Sequence, residues 1–167
     1  WIDRFTARNL ELIQSMHEKG VPLIQILDKT ISPMGSRLLK RWIVLPLKDI
    51  HQINERLDAV EYLIKDSEVH HTITQHIKQI GDLERLISKV PMGKINPREV
   101  TQLKRALYAL QPIKEICLSS NNNGLKKIGE QIQLCQLIKD KIENTLNEDA
   151  PVQVQKGNAI KNGISTE

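Results

Sequence analysis

The sequence predicts a mainly α-helical bundle with a short strand on its N-terminal side and a small β-hairpin near its C-terminus. Three observations carry this reading. Capped segments with apolar residues every three or four positions follow one another from Pro33 to Leu146. The chain is 40% hydrophobic yet holds only two Trp, two Tyr and one Phe, a composition that suits helix-on-helix packing better than a β-sandwich. The tail from Pro151 to Ile160 changes character and alternates instead. At 167 residues the chain makes about one domain with a real core.

The elements follow in order. Thr6 to Ile13 alternate weakly and predict the N-terminal strand. Gly20 and Pro22 punctuate, and Leu23 to Leu27 make a short helix. Ser32-Pro33 is a strong helix start, because Ser caps well and Pro occupies the first position, where its missing N–H is not needed. That helix ends near Leu45, since Pro46 disfavours α geometry before it. Its register buries Leu38, Leu39 and Trp42 and leaves Arg37 for a carboxylate or backbone carbonyls. Gly35, in its first turn, implies close approach of another segment.

Asp49 caps the clearest amphipathic helix, with Ile50, Ile53, Leu57, Val60 and Ile64 on one stripe. Ser67 starts another, carrying Val69, Ile73, Ile77 and Ile80 and closed by Gly81, and Asp82 starts a short one with Leu83, Leu86, Ile87 and Val90. Asn96-Pro97-Arg98-Glu99 combines a cap, Pro at the first position and Glu three residues on. Pro112 is expected to bend or restart that helix, which carries Val100, Leu103, Leu107, Leu110, Ile113 and Ile116. Ser119 to Gly124 is a polar loop, and Leu125 opens a last long helix through Ile128, Ile132, Cys135, Ile138 or Lys139, and Ile142. Lys156-Gly157-Asn158 reads as the turn of the hairpin.

The chain carries no recognisable catalytic set of its own. Met92-Gly93-Lys94-Ile95 has the Gly-Lys pair of a phosphate loop but neither the upstream Gly nor the hydroxyl that magnesium needs. His70, His71 and His76 point to different sides of one helix and read as a solvated face rather than a zinc site. The acidic pairs Asp58/Glu61 and Glu143/Glu148 lie on ordinary charged faces, so no catalytic or metal residue is assigned. Cys117 and Cys135 read as buried free thiols. The longest apolar run is broken by Pro46, which excludes a membrane-spanning helix, and no signal-peptide pattern opens the chain.

A net charge of +4 permits an acidic partner without demanding one. Arg37, Lys40, Arg41 and Lys48 form the densest basic patch and are the candidate DNA-binding residues; the alternative is the polar stripe of a packed helix. Trp42 reads as core rather than as a base-stacking platform.

Ordered segments along most of the chain carry a further signal. They are Thr6-Ala7-Arg8-Asn9-Leu10-Glu11-Leu12, Leu27-Asp28-Lys29-Thr30, Pro33-Met34-Gly35-Ser36-Arg37, Arg41-Trp42 and Leu45-Pro46-Leu47. Ile53-Asn54-Glu55-Arg56-Leu57, Gly81-Asp82-Leu83-Glu84-Arg85, Pro97-Arg98-Glu99-Val100, Pro151-Val152-Gln153-Val154 and Asn162-Gly163 continue the series. In order and spacing these resemble the core (lever) domain of DNA mismatch-repair proteins of the MutS family. The resemblance implies a piece of a longer protein: residues 1–13 arriving from a connector, 14–147 the helical core/lever, and 148–167 a hairpin leading toward a DNA clamp.

The same resemblance implies a structural element that couples ATPase state to DNA clamping and mismatch recognition. The fragment itself would be no enzyme and hold no cofactor; the parent would use ATP and Mg. Its partners would be mismatched double-stranded DNA through other domains, a second copy of itself, and a MutL-type repair protein, in the cytoplasm and away from membranes. The family's mismatch-reading Phe-x-Glu is absent, since the only Phe, Phe5, precedes Thr6-Ala7. Other readings are a helical DNA-binding module that uses Pro97 to Leu110 as its recognition helix, a protein-interaction scaffold, and a MutS-like recombination protein.

Overall fold

A computed structural model describes residues 2–164; Trp1 and the last three positions of the predicted hairpin segment lie outside them. Among the described residues there are nine α-helices, one 3-10 turn and no strand. They are α1 (Arg4–Asn9), α2 (Leu23–Leu27), α3 (Pro33–Val44), α4 (Ile50–Lys65), α5 (Ser67–Ile80), α6 (Leu83–Lys89), α7 (Pro97–Ser119), α8 (Asn123–Gln131) and α9 (Gln136–Thr145).

The helix starts are chemical. Ser32 Oγ accepts from the Gly35 amide at 3.1 Å, and Asp49 Oδ1 accepts from that of Gln52 at 2.9 Å. Asn96 and Glu99 form a reciprocal capping box, with Glu99 N donating to Asn96 Oδ1 at 3.0 Å and Asn96 N to Glu99 Oε2 at 3.2 Å. Each such cap satisfies amides that have no partner inside the helix. At α5 the cap is Asp66, which accepts from Val69 N at 3.0 Å; Ser67, the predicted cap, is already helical. Asn122 caps α8, which starts at Asn123, two residues before the predicted opening at Leu125.

Four expectations are corrected. The N-terminal strand is helix α1, because Asp3 caps Phe5 and Thr6 and local capping outweighs a weak two-residue alternation. Pro112 does not restart α7, which runs unbroken through it; the Pro ring only removes the amide that would have reached the Tyr108 carbonyl. The predicted last long helix is two helices, parted at Cys135 by a left-handed backbone (φ 48°). The C-terminal hairpin is a single antiparallel bridge between Leu146 and Ile160 around a 3-10 turn at Val154–Lys156. Only its turn survives, with Gly157 and Asn158 at positive φ.

The core lies around α7, which is flanked by α5, α6, α8 and α9. Ile80, Ala106, Ala109, Ile113, Cys117 and Leu125 form its buried cluster. Small residues let the helices close in: a Cβ on Gly129 of α8 would stand 3.0 Å from Cys117 Cβ and 3.1 Å from the Leu118 backbone nitrogen of α7. At Gly35 the close neighbours are Thr30 and Ser32 of the loop just before it, not a separate segment.

The periphery is different. Neither α3 nor α4 contains a buried residue. Leu38 and Trp42 are exposed and Leu39 is half-buried, which corrects the expectation that all three are core. On α4 most of the predicted stripe faces outward: Ile50, Leu57, Val60 and Ile64 are exposed and Ile53 is half-buried, while Ala59, Tyr62 and Leu63 pack against the bundle. The chain exposes 12191 Å2, against roughly 8400 Å2 for a compact monomer of this mass. The excess arises because helix faces patterned for burial are uncovered.

Candidate functional site

Arg37 sits in the second turn of α3, held at that position by the Ser32 cap and Pro33 start. Its guanidinium reaches across to the N-terminus of α6. Nε donates to Glu84 Oε2 at 2.8 Å, and Nη1 and Nη2 donate to the two oxygens of Asp82 at 3.2 and 2.7 Å. Nη2 also lies 2.6 Å from Glu84 Oε2. The planar fork of Arg suits this paired geometry, which Lys could not reproduce. Asp82 at the same time caps α6 by accepting from Arg85 N. The hydrogen bonds from Arg37 hold the Asp82 carboxyl below its ordinary range, against a smaller desolvation that raises it.

One turn on, the Arg56 guanidinium of α4 lies 3.8 Å over the Trp42 ring. A cation above an indole face is attracted by the ring quadrupole. Of the four predicted DNA-binding residues, Arg37 is thus committed to carboxylates. Lys40, Arg41 and Lys48 are exposed and form no ion pair among the described residues. They share one short stretch of chain without converging on a pocket.

A second polar region lies between α7 and α9. Lys104, with its side chain 9% exposed, donates to Glu143 at 2.6 Å, and this hydrogen bond lowers the Glu143 carboxyl. Lys139 is 1% exposed, its Nζ 4.8 Å from the Tyr108 ring. The choice that periodicity left between Ile138 and Lys139 goes to Lys139, and Ile138 faces out. An aliphatic stem packs as well as a leucine when its ammonium finds a partner. A cavity of about 490 Å3 beside this region is lined by His76, Lys104, Arg105, Tyr108, Glu143 and Glu148 among others. His76 is half-buried and its Nδ1 has no hydrogen-bond partner, so the histidine face is not wholly solvated.

Among the described residues no three His, Cys, Asp or Glu side chains come together as a metal site. Cys117 is buried, and burial pushes its thiol up. Cys135 is exposed, contrary to the expectation of two buried thiols, because it lies in the α8–α9 break rather than inside a helix. No described helix is long and apolar enough to cross a membrane. The carboxylate expected for Arg37 is present, but sequence reasoning did not identify it as Asp82 and missed the Lys104–Glu143 pair; the partners lie 45 and 39 residues apart, and no local spacing signals either.

The geometry defines an α-helical domain with capped helices, ion pairs and uncovered apolar faces. A model of MutS domain III matches residues 5–165. The chain is 52% identical over 166 residues to the DNA mismatch repair protein MutS of Bacteroides fragilis (strain YCH46), covering 99% of this chain and 19% of that protein. It is 53% identical over its full length to the DNA mismatch repair protein MutS of Christiangramia forsetii, again 19% of that protein. The Cytophaga hutchinsonii protein of the same name is 50% identical over 167 residues, 20% of its length. The chain belongs to the MutS domain III family, the core/lever region of MutS mismatch-repair proteins. It spans about a fifth of the length of the curated relatives it matches.

Proposed function

We propose that this domain works as the core/lever of a DNA mismatch-repair protein, transmitting the state of an ATPase to a clamp on mismatched DNA. In this reading ATP and Mg are bound elsewhere in the parent, which pairs with a second copy of itself, signals to a MutL-type partner and acts in the cytoplasm. Residues 1–13 lead in from a connector, 14–147 form the lever, and 148–167 lead toward the clamp. The observation that carries it is the outward apolar stripe of α4, Ile50, Leu57, Val60 and Ile64, on a domain whose relatives are several times longer. An exposed apolar face of this kind marks a surface for another segment or partner, and a rigid helix covered at both ends passes a displacement from one neighbour to the other.

The test uses Leu57→Gln with Ile64→Gln, both exposed here. The 167-residue chain carrying them should melt like the unsubstituted one. The full-length protein should still hydrolyse ATP, while ATP-driven release from mismatched duplex slows. Unchanged release would refute the coupling role.

A second reading gives Arg37, Lys40, Arg41 and Lys48 a direct DNA contact, favoured by the exposure of the last three. Replacing Lys40, Arg41 and Lys48 together with Gln should flatten the salt dependence of duplex binding if they meet phosphate; an unchanged slope removes them from the interface.

A further inference from the structure

Residues 2–45 form a unit of their own. Ile2 N donates to Val44 O at 2.9 Å, closing the start of the chain onto the end of α3. Leu23 N to Glu11 O and Ile24 N to Leu12 O, both 3.0 Å, fasten α2 to the turn after α1. Leu12 and Ile24 are the only buried residues of this arm. Its connection to α4 is a non-helical stretch, Leu45 to Asp49, that contains Pro46.

Contacts from this arm to the bundle are few. Among the described residues, every hydrogen bond and ion pair from residues 2–48 to the remainder of the chain passes through Arg37. Besides these there are the Arg56–Trp42 stack and the packing of Met34 against the core cluster. No residue of α3 is fully buried, and Met34 is its one apolar contact with the core cluster. An element fixed by one ionic fork, one stack and one partly buried methionine sits at the low-stability end of a fold, where local opening is favoured.

We propose that α1–α3 is an arm hinged at Leu45–Asp49 and latched to the bundle by Arg37 on Asp82 and Glu84, so that breaking this fork frees the arm while the bundle stays folded. The latch couples the arm's position to the N-terminus of α6, since Asp82 serves both as that helix's cap and as the acceptor for Arg37. Nothing in the arm–bundle geometry depends on the coupling role proposed above, so either can fail alone.

The test is a spin-label distance between α3 and α8 in the full-length protein, using Lys40→Cys and Glu130→Cys. Cys135→Asn removes the exposed thiol with a residue that tolerates the left-handed backbone, and other exposed thiols are replaced. The unsubstituted latch should give one narrow distance distribution. Arg37→Gln should add a second population, raising the undocked fraction on the order of two- to fivefold, the scale of losing exposed ion pairs. Arg37→Lys should fall between. Asp82→Asn with Glu84→Gln keeps a capping side chain on α6 and should open the arm equally, which guards against misfolding of the Arg37 variant. Raising salt from about 0.1 M to about 1 M should open the unsubstituted protein without any mutation. A distribution that stays narrow in both variants and at high salt overturns the latch.

Discussion

The α7 bundle and the α1–α3 arm are built from similar helices but held by different forces. Around α7, six buried residues interdigitate and a glycine brings α8 against Cys117. In the arm no α3 residue is buried, and the links to the bundle are charged or aromatic tips beside the single apolar contact of Met34. Hydrophobic burial is non-directional and cumulative, so the bundle resists any single loss gradually. An ionic fork is specific and weak, and one substitution removes it. The difference teaches where this domain is stiff and where it can move.

The sharpest way to break the comparison is to empty a core site. Ile113→Ala, at the centre of the buried cluster, should cost ~2–5 kcal/mol, the range for such cavities, read as a shift in the denaturation midpoint. A near-neutral result would mean the bundle is no better packed than the arm. Gly129→Ala should follow at ~1–3 kcal/mol, because the new methyl meets backbone and side-chain atoms of α7 at 3.0–3.1 Å. A gain in stability from this change, as helix propensity alone would give, would show that α8 shifts freely.

Trp42→Ala should cost about 1–2 kcal/mol, less than the ~3–5 of a fully buried aromatic site, since the ring is 40% exposed under Arg56. Its melting should change less than that of Ile113→Ala; the reverse order would show that the half-covered Trp42 holds the fold more strongly than the buried cluster does. The smallest effect is with pH. Arg37 holds the Asp82 carboxyl below its ordinary value, so the unfolded chain binds this proton more readily. The stabilisation is present above the ordinary carboxylate pKa and is lost as pH falls through the lower, folded value. Stability measured down that range should therefore fall more shallowly in Asp82→Asn.

Much of this was legible locally. Ser32-Pro33, Asp49, Asp82 and the Asn96–Glu99 box start helices as read, because capping acts within three residues. The breaks were less legible. Nothing in the Ile128–Ile142 periodicity announces the left-handed turn at Cys135, and Pro112 is tolerated because the packing around α7 outweighs one lost hydrogen bond. For the candidate site, exposure of Arg41 and Lys48 followed from charge, but the partner of Arg37 did not, since Asp82 is 45 residues away.

The sequence by itself determined most of the helices and their starts, the family, and which residues form apolar stripes, because capping, periodicity and ordered motifs are written in neighbouring residues. Only the tertiary structure decided which stripes are covered. The stripe of α5 meets α7, whereas that of α4 faces outward and Lys139 takes a buried place that Ile138 does not. Periodicity fixes which residues share a face. What that face meets depends on chain segments far away, and no local pattern encodes them.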